Sequence, residues 1–150
     1  MKRSGILRPE VVAMGLRAGT RDEAIAEIVG LFARDPRVTD RERLLAEILA
    51  REASESTCLG FETAIPHART DAVREMAMAV GRSEGDVRFG CGKVAKLIFV
   101  VATPRPMATE YLRFVGALAR AMRSEDVRAE LMGAGDAAGF IRILAGAGVV

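Results

Sequence analysis

The sequence predicts an α/β fold: a single domain over residues 1–150 whose mixed β-sheet is flanked by helices on both faces. Three observations carry this reading. Apolar residues recur at helical spacing behind two capping-type sequences, and two strand-like apolar runs interrupt the helical stretches. The second run, residues 97–102, is apolar at every position, so both of its faces need cover. With 150 residues, half of them hydrophobic and 28% charged, the chain can bury one core without disulfide or metal staples.

The elements follow in order. Thr20-Arg21-Asp22-Glu23 has the form of a capping box, and Ile25, Ile28, Val29 and Phe32 behind it predict a helix over about residues 21–33. The arrangement recurs at Thr39-Asp40-Arg41-Glu42, where Leu44, Leu45, Ile48 and Leu49 carry a second helix towards Arg51-Glu52. Arg51 therefore falls near a helix C-terminus. Residues 54–60 are mostly small or polar. Pro66 then biases Ile65 towards an extended conformation, which places His67 at a strand end or in a loop. Residues 76–80 and 96–102 read as strands, residues 81–92 as the turn between them, and Thr103-Pro104-Arg105-Pro106 as the end of the second strand. From Thr109 onward Leu112, Val115, Leu118, Ala119 and Met122 mark a helix, and further helices start near Ser124 and Asp136.

Charge and composition exclude several classes. Lys and Arg total 22 against 20 Asp and Glu, a net charge of +2 with no dominant run, which argues against a dedicated nucleic-acid binder. The longest strongly apolar stretch falls far short of the roughly 20 residues of a membrane helix, so no membrane span is expected. The basic start of the chain meets Arg8 and Pro9 before a signal-type apolar region develops, and a cytoplasmic location is expected. Cys58 and Cys91 lack paired spacing, so they read as reduced thiols and not as a disulfide or zinc site.

The most informative segment runs from Arg51-Glu52 through Ser54, Ser56, Thr57 and Gly60 to Ala64-Ile65-Pro66-His67, with Arg69 just beyond. Together with Leu97-Ile98-Phe99-Val100-Val101-Ala102-Thr103-Pro104 and the helix bearing Leu118-Ala119, it resembles a known family. That family is the fructose/mannitol-type enzyme IIA domains (type-2 EIIA) of the bacterial phosphotransferase system, which includes the nitrogen-regulatory IIA proteins. The resemblance spans nearly the whole chain. It implies that His67, the only histidine, takes a phosphoryl group from HPr or its nitrogen-branch HPr-type relative. It further implies that the group passes to a IIB domain, or that the phosphorylated chain acts on a regulated target protein. No metal or organic cofactor is implied.

The chemistry suits the residue types. An imidazole titrating near its usual value of about 6.5 is largely neutral at pH 7 and offers one nitrogen lone pair as nucleophile. Phosphoryl transfer then asks for positive charge around the phosphate oxygens. Arg51 matches the family's arginine and is the first candidate clamp. Arg69 is a second cation, and Thr57 with the amides near Gly60 a further source of donors. Bland readings stand beside these: Arg51-Glu52 as a solvated pair at a helix end, Thr57 as a turn residue, and Cys58 as a structural thiol. Two alternative functions remain: a regulatory binding module of the same fold with little transfer activity, and a thiol enzyme pairing Cys58 with His67. The sequence also departs from the family pattern. Phe61 and Glu62 stand where members carry a second glycine and a small residue, putting bulk and acidity near the donor's approach. Tyr111 stands where many members carry a second histidine. Its hydroxyl either contacts the phosphate or lies on the helix rim in water.

Overall fold

The structure, a computed structural model, describes residues 5–90 and 92–150. Met1 to Ser4, which hold the basic start of the chain, and Cys91, one of the two expected reduced thiols, lie outside the described residues.

The sheet is built on two long antiparallel strands, β5 (Ala77–Phe89) and β6 (Lys93–Thr103). Around them stand β1 (Val12–Ala13), β2 (Cys58–Gly60), β3 (Thr63–Ala64) and β4 (His67–Arg69), in the order β1-β5-β6-β3-β2, with β4 also paired to β6. β1 runs parallel to β5, both β3 and β4 run parallel to β6, and β2 and β3 form a hairpin. The sheet is thus mixed, as expected. Every residue of β6 from 97 to 103 is buried, so its alternating side chains meet cover on both faces.

Five helices supply that cover: α1 (Arg21–Gly30), α2 (Arg41–Ser54), α3 (Ala108–Ala121), α4 (Glu125–Gly133) and α5 (Ala137–Gly146). Ser124 and Asp136 cap α4 and α5 by accepting from the amides of Val127 and Gly139. The first two helix starts differ in detail from the capping boxes read in the sequence. Thr20 gives its hydroxyl hydrogen to Glu23 at 2.6 Å and leaves the helix amides alone. For α2 the cap is Asp40, not Thr39: its carboxylate accepts from Arg43 N at 3.0 Å, a charge better matched to a helix N-terminus than a hydroxyl. Thr39 N instead donates to Ala72 O.

The largest correction concerns residues 81–92. They are not a turn: β5 continues through them to Phe89, and the connection to β6 is only three residues long. Their turn-forming composition is absorbed by a bulge, because the ladder breaks after Arg82–Leu97 and resumes at Val87–Ala95. Gly81 has a packing reason as well, since a Cβ there would lie 2.6 Å from Leu16 Cδ1.

Arg82, at the edge of the bulge, ties the sheet to distant segments. Its Nε donates to Met14 O, and its Nη1 donates to the carbonyls of Leu131, Met132 and Ala134 at 3.1, 3.1 and 2.7 Å. Carbonyls at a helix C-terminus lack intrahelical partners, so one guanidinium satisfies the end of α4. Arg82→Ala is therefore expected to cost about 2–4 kcal/mol and lower Tm by roughly 5–15 °C. Thermal melts of the two proteins check this, and unchanged melting would remove Arg82 from the account.

Candidate functional site

His67 is positioned by a break in a parallel ladder. β3 runs beside β6 as far as Ala64, opposite Ile98, and β4 resumes at His67, opposite Val101. The two residues between, Ile65 and Pro66, are buried. Proline has no amide hydrogen to give the ladder, but Pro66 O still accepts from Val101 N at 3.0 Å. His67 thereby stands beside the C-terminal half of a buried strand, next to the connection into α3. Ligands of α/β sheets bind in that region.

The imidazole has one defined tautomer. Its Nδ1 lies 2.6 Å from Ile65 O, and a carbonyl can only accept, so Nδ1 carries the hydrogen and Nε2 keeps its lone pair. Burial holds the ring below its ordinary titration point, and the positive charge of Arg51 pushes the same way. The Ile65 hydrogen bond and the charges of Glu52 and Glu55 oppose this. At neutral pH the ring is neutral.

Around it lies an open cleft of about 480 Å³ lined by Glu47 and Arg51 of α2, by Ala68 and Arg69 of β4, and by Arg105, Ala108, Tyr111 and Leu112 at the start of α3. The structure thus brings His67, Arg51, Arg69 and Tyr111 together. Arg51 is half exposed, with a loose partner in Glu55 at 3.8 Å. Tyr111 lies inside the pocket, 5% exposed, with its ring edge-on to His67 at 5.5 Å between centroids. Burial pushes its hydroxyl up to about 12, against the pull of Arg51 and Arg69, so it keeps its hydrogen to donate.

Thr57 is placed differently. It lines a smaller adjoining recess that also includes His67, Arg51 and Cys58, but its hydroxyl hydrogen goes to Glu52 Oε1 at 2.6 Å and its amide to Glu52 Oε2 at 2.8 Å. Glu52, 2% exposed, is therefore no solvated partner of Arg51; it closes the turn after α2. Phe61 and Glu62 line a separate depression against α4, with Lys96 and Arg128, and do not touch the cleft. Glu47 and Arg105 were missed by sequence reasoning. The available signal for Arg105 was its place just past the C-terminal end of the buried strand. Leu112, read as part of an apolar helical stripe, is 67% exposed at the cleft rim, while Tyr111, Phe114 and Leu118 form the buried face of α3.

The family described as "Phosphoenolpyruvate-dependent sugar phosphotransferase system, EIIA 2" matches residues 5–147. The chain belongs to this family. Among relatives of this EIIA chain is the "PTS system fructose-specific EIIA component" of Haloferax volcanii. It is 35% identical over 125 residues, covering 82% of this chain and 81% of that protein. The "PTS system fructose-specific EIIABC component" of Bacillus subtilis is 28% identical over 134 residues, which are 88% of this chain but only 21% of that longer protein. In structure, the nitrogen regulatory protein IIA-Ntr of Neisseria meningitidis superposes with a TM-score of 0.85 at 28% identity, over 93% of this chain and 96% of that one. A phosphocarrier role of the EIIA type follows from membership. No helix among the described residues is long and apolar enough to cross a membrane.

Because His67 is the only histidine, its titration can be followed as one imidazole signal by NMR. The midpoint is expected below 6.5 and should rise in Arg51→Ala while staying below 6.5, since burial remains. A native ring that resists protonation while the unfolded ring accepts it lowers stability as pH falls from about 6.5 through the native midpoint. A midpoint at or above 6.5 in the wild type contradicts this description of the site.

Proposed function

We propose that this EIIA chain carries phosphate on Nε2 of His67, accepting it from HPr or a nitrogen-branch HPr-type protein in the cytoplasm. The phosphate then passes to a IIB domain, or the phosphorylated chain acts on a regulated target protein. The observation that carries the reading is the Nδ1 hydrogen bond to Ile65 O, which fixes the tautomer and leaves the opposite nitrogen as nucleophile beside Arg51, Arg69 and Tyr111.

In the accepting step the Nε2 lone pair attacks phosphorus. An N–P bond forms at His67 as the P–N bond on the donor's histidine breaks, and the electron pair returns to the donor's ring. Onward transfer has the same form. A thiolate on the IIB domain attacks phosphorus, and the pair of the breaking bond returns to Nε2. Arg51 and Arg69 meet the charge on the equatorial oxygens, and Tyr111 gives one neutral hydrogen bond. Thr57 serves by holding the turn that follows Arg51, its own hydrogens being committed to Glu52.

A macromolecular partner is also supported by the surface. The large exposed hydrophobics among the described residues are Leu59, Phe61 and Leu112. Leu112 lines the His67 cleft, and Leu59 lines the adjoining recess with His67 and Val115. Apolar residues ringing a charged cleft suit a docked protein that excludes water from the transfer.

Incubation with phosphoenolpyruvate, enzyme I and the HPr-type donor is expected to add one acid-labile, base-stable phosphate, and His67→Ala to abolish it. Arg51→Ala should slow transfer by about tenfold to a thousandfold. Label retained by a folded His67→Ala protein refutes the proposal.

Tyr111 can be tested separately. Tyr111→Phe should reduce transfer modestly. Tyr111→His should preserve or raise it, most clearly below neutral pH, where imidazole gains a charge that the tyrosine lacks. Equal rates in all three proteins across that range would leave Tyr111 with packing alone.

A further inference from the structure

The cleft holds a third arginine that the family pattern does not single out. Arg105 stands on the short turn Arg105–Met107 between β6 and α3, between Pro104 and Pro106, which restrict the backbone on either side. Its guanidinium is engaged at the rim, where Nε lies 3.5 Å from Asp71 Oδ1. The other oxygen of Asp71 lies 3.5 Å from Nη2 of Arg43 on α2. Asp71 thus links α2 to the turn that carries Arg105.

The two cations are not held alike. Arg43 also contacts Glu47 through Nε at 2.9 Å, and Glu47 accepts from Thr70 as well, so Arg43 keeps a partner if Asp71 lets go. The ion pair of Arg105 with Asp71 is long, and both side chains are more than half exposed to water, which makes it weak. A phosphoryl group brings close to two negative charges and three strong acceptor oxygens, a better partner for a guanidinium than one distant carboxylate.

We propose that Arg105 is a phosphate-binding residue of the phosphorylated site, held at the rim by Asp71 until the phosphoryl group arrives on His67. The inference rests on the phosphohistidine reading above. Phosphorylation breaks the Asp71–Arg105 contact as the guanidinium turns to the phosphate.

The test compares wild type, Arg105→Ala, Asp71→Asn and the double variant, each confirmed folded by its melting curve. Two rates are measured: phosphate acceptance from the phosphorylated HPr-type donor, and loss of phosphate from the isolated phosphoprotein. Arg105→Ala should slow acceptance by about tenfold or more and change the lifetime of the isolated phosphohistidine. Asp71→Asn should speed acceptance several-fold, and that gain should vanish in the double variant. A structural ion pair would make both single variants shift the same way, and plain repulsion by Asp71 would leave the gain intact without Arg105; either result overturns the proposal. An unchanged phosphohistidine lifetime in Arg105→Ala would assign the arginine to the donor's surface and also overturn it. A wild-type protein that takes no phosphate at all removes the His67 reading, and this inference falls with it. Normal labelling with four equal rates removes this inference alone.

Discussion

The site depends on the two-residue interruption at Ile65 and Pro66 in the ladder beside β6. A strand running uninterrupted from Thr63 to Arg69 would give its backbone to β6 throughout. Here the chain steps out and back. Pro66 O holds the strand to Val101, and Ile65 O is left to accept from the His67 ring. One local deviation therefore fixes the position of the imidazole and its tautomer. The long β6, buried from Leu97 to Thr103, makes the deviation tolerable, because the sheet persists on its β5 side however the other edge is arranged.

Electrostatics at the site follow from that placement. Burial disfavours charge on both aromatic partners, lowering the titration of His67 and raising that of Tyr111, so the two rings in edge-to-face contact are both neutral at pH 7. Positive charge comes instead from arginines on three different elements: α2, β4 and the turn before α3. A neutral imidazole with a free Nε2 lone pair thus faces fixed cations, the arrangement that the proposed phosphate carriage on His67 requires. With Tyr111 neutral, the positive charge of the cleft resides in guanidinium groups, whose protonation does not vary over the physiological range.

Much of this was legible in the sequence. Apolar periodicity located α1, α2 and α3, start signals at Ser124 and Asp136 located α4 and α5, and the uninterrupted run at residues 97–102 marked the central strand, because periodicity and apolar runs reflect burial directly. The Ala-Ile-Pro-His string and Arg51 named residues that line one and the same cleft. What escaped were features set by partners distant along the chain. Residues 81–92 look like a turn because Gly81, Gly85, Asp86 and Gly90 are turn formers; only the ladder supplied by β6 shows them to be a bulged strand. Glu47 has no local signature of its own and Arg105 only its place just past the end of the buried strand; they share the site because α2, β4 and the turn before α3 meet at one cleft. Thr57 failed as a phosphate donor for a related reason, since the sequence does not reveal that buried Glu52 takes both of its hydrogens.

The hairpin tip at Gly60, Phe61 and Glu62 shows how a local departure can be contained. All three residues have left-handed backbone conformations, with φ of 82°, 56° and 57°. Glycine adopts this freely, whereas each L side chain there costs about 1–2 kcal/mol. Compensation comes from α4 and β6. Arg128 of α4 stacks on the Phe61 ring at 4.8 Å, Lys96 pairs with the Glu62 carboxylate at 3.4 Å, and Glu62 O accepts from the amides of Lys96 and Leu97. Those contacts hold the tip against β6 and α4. The bulk and acidity that the sequence set in the donor's path therefore lie in a separate depression, and Cys58 and Leu59, just before the tip, are what the hairpin presents to the recess beside the imidazole.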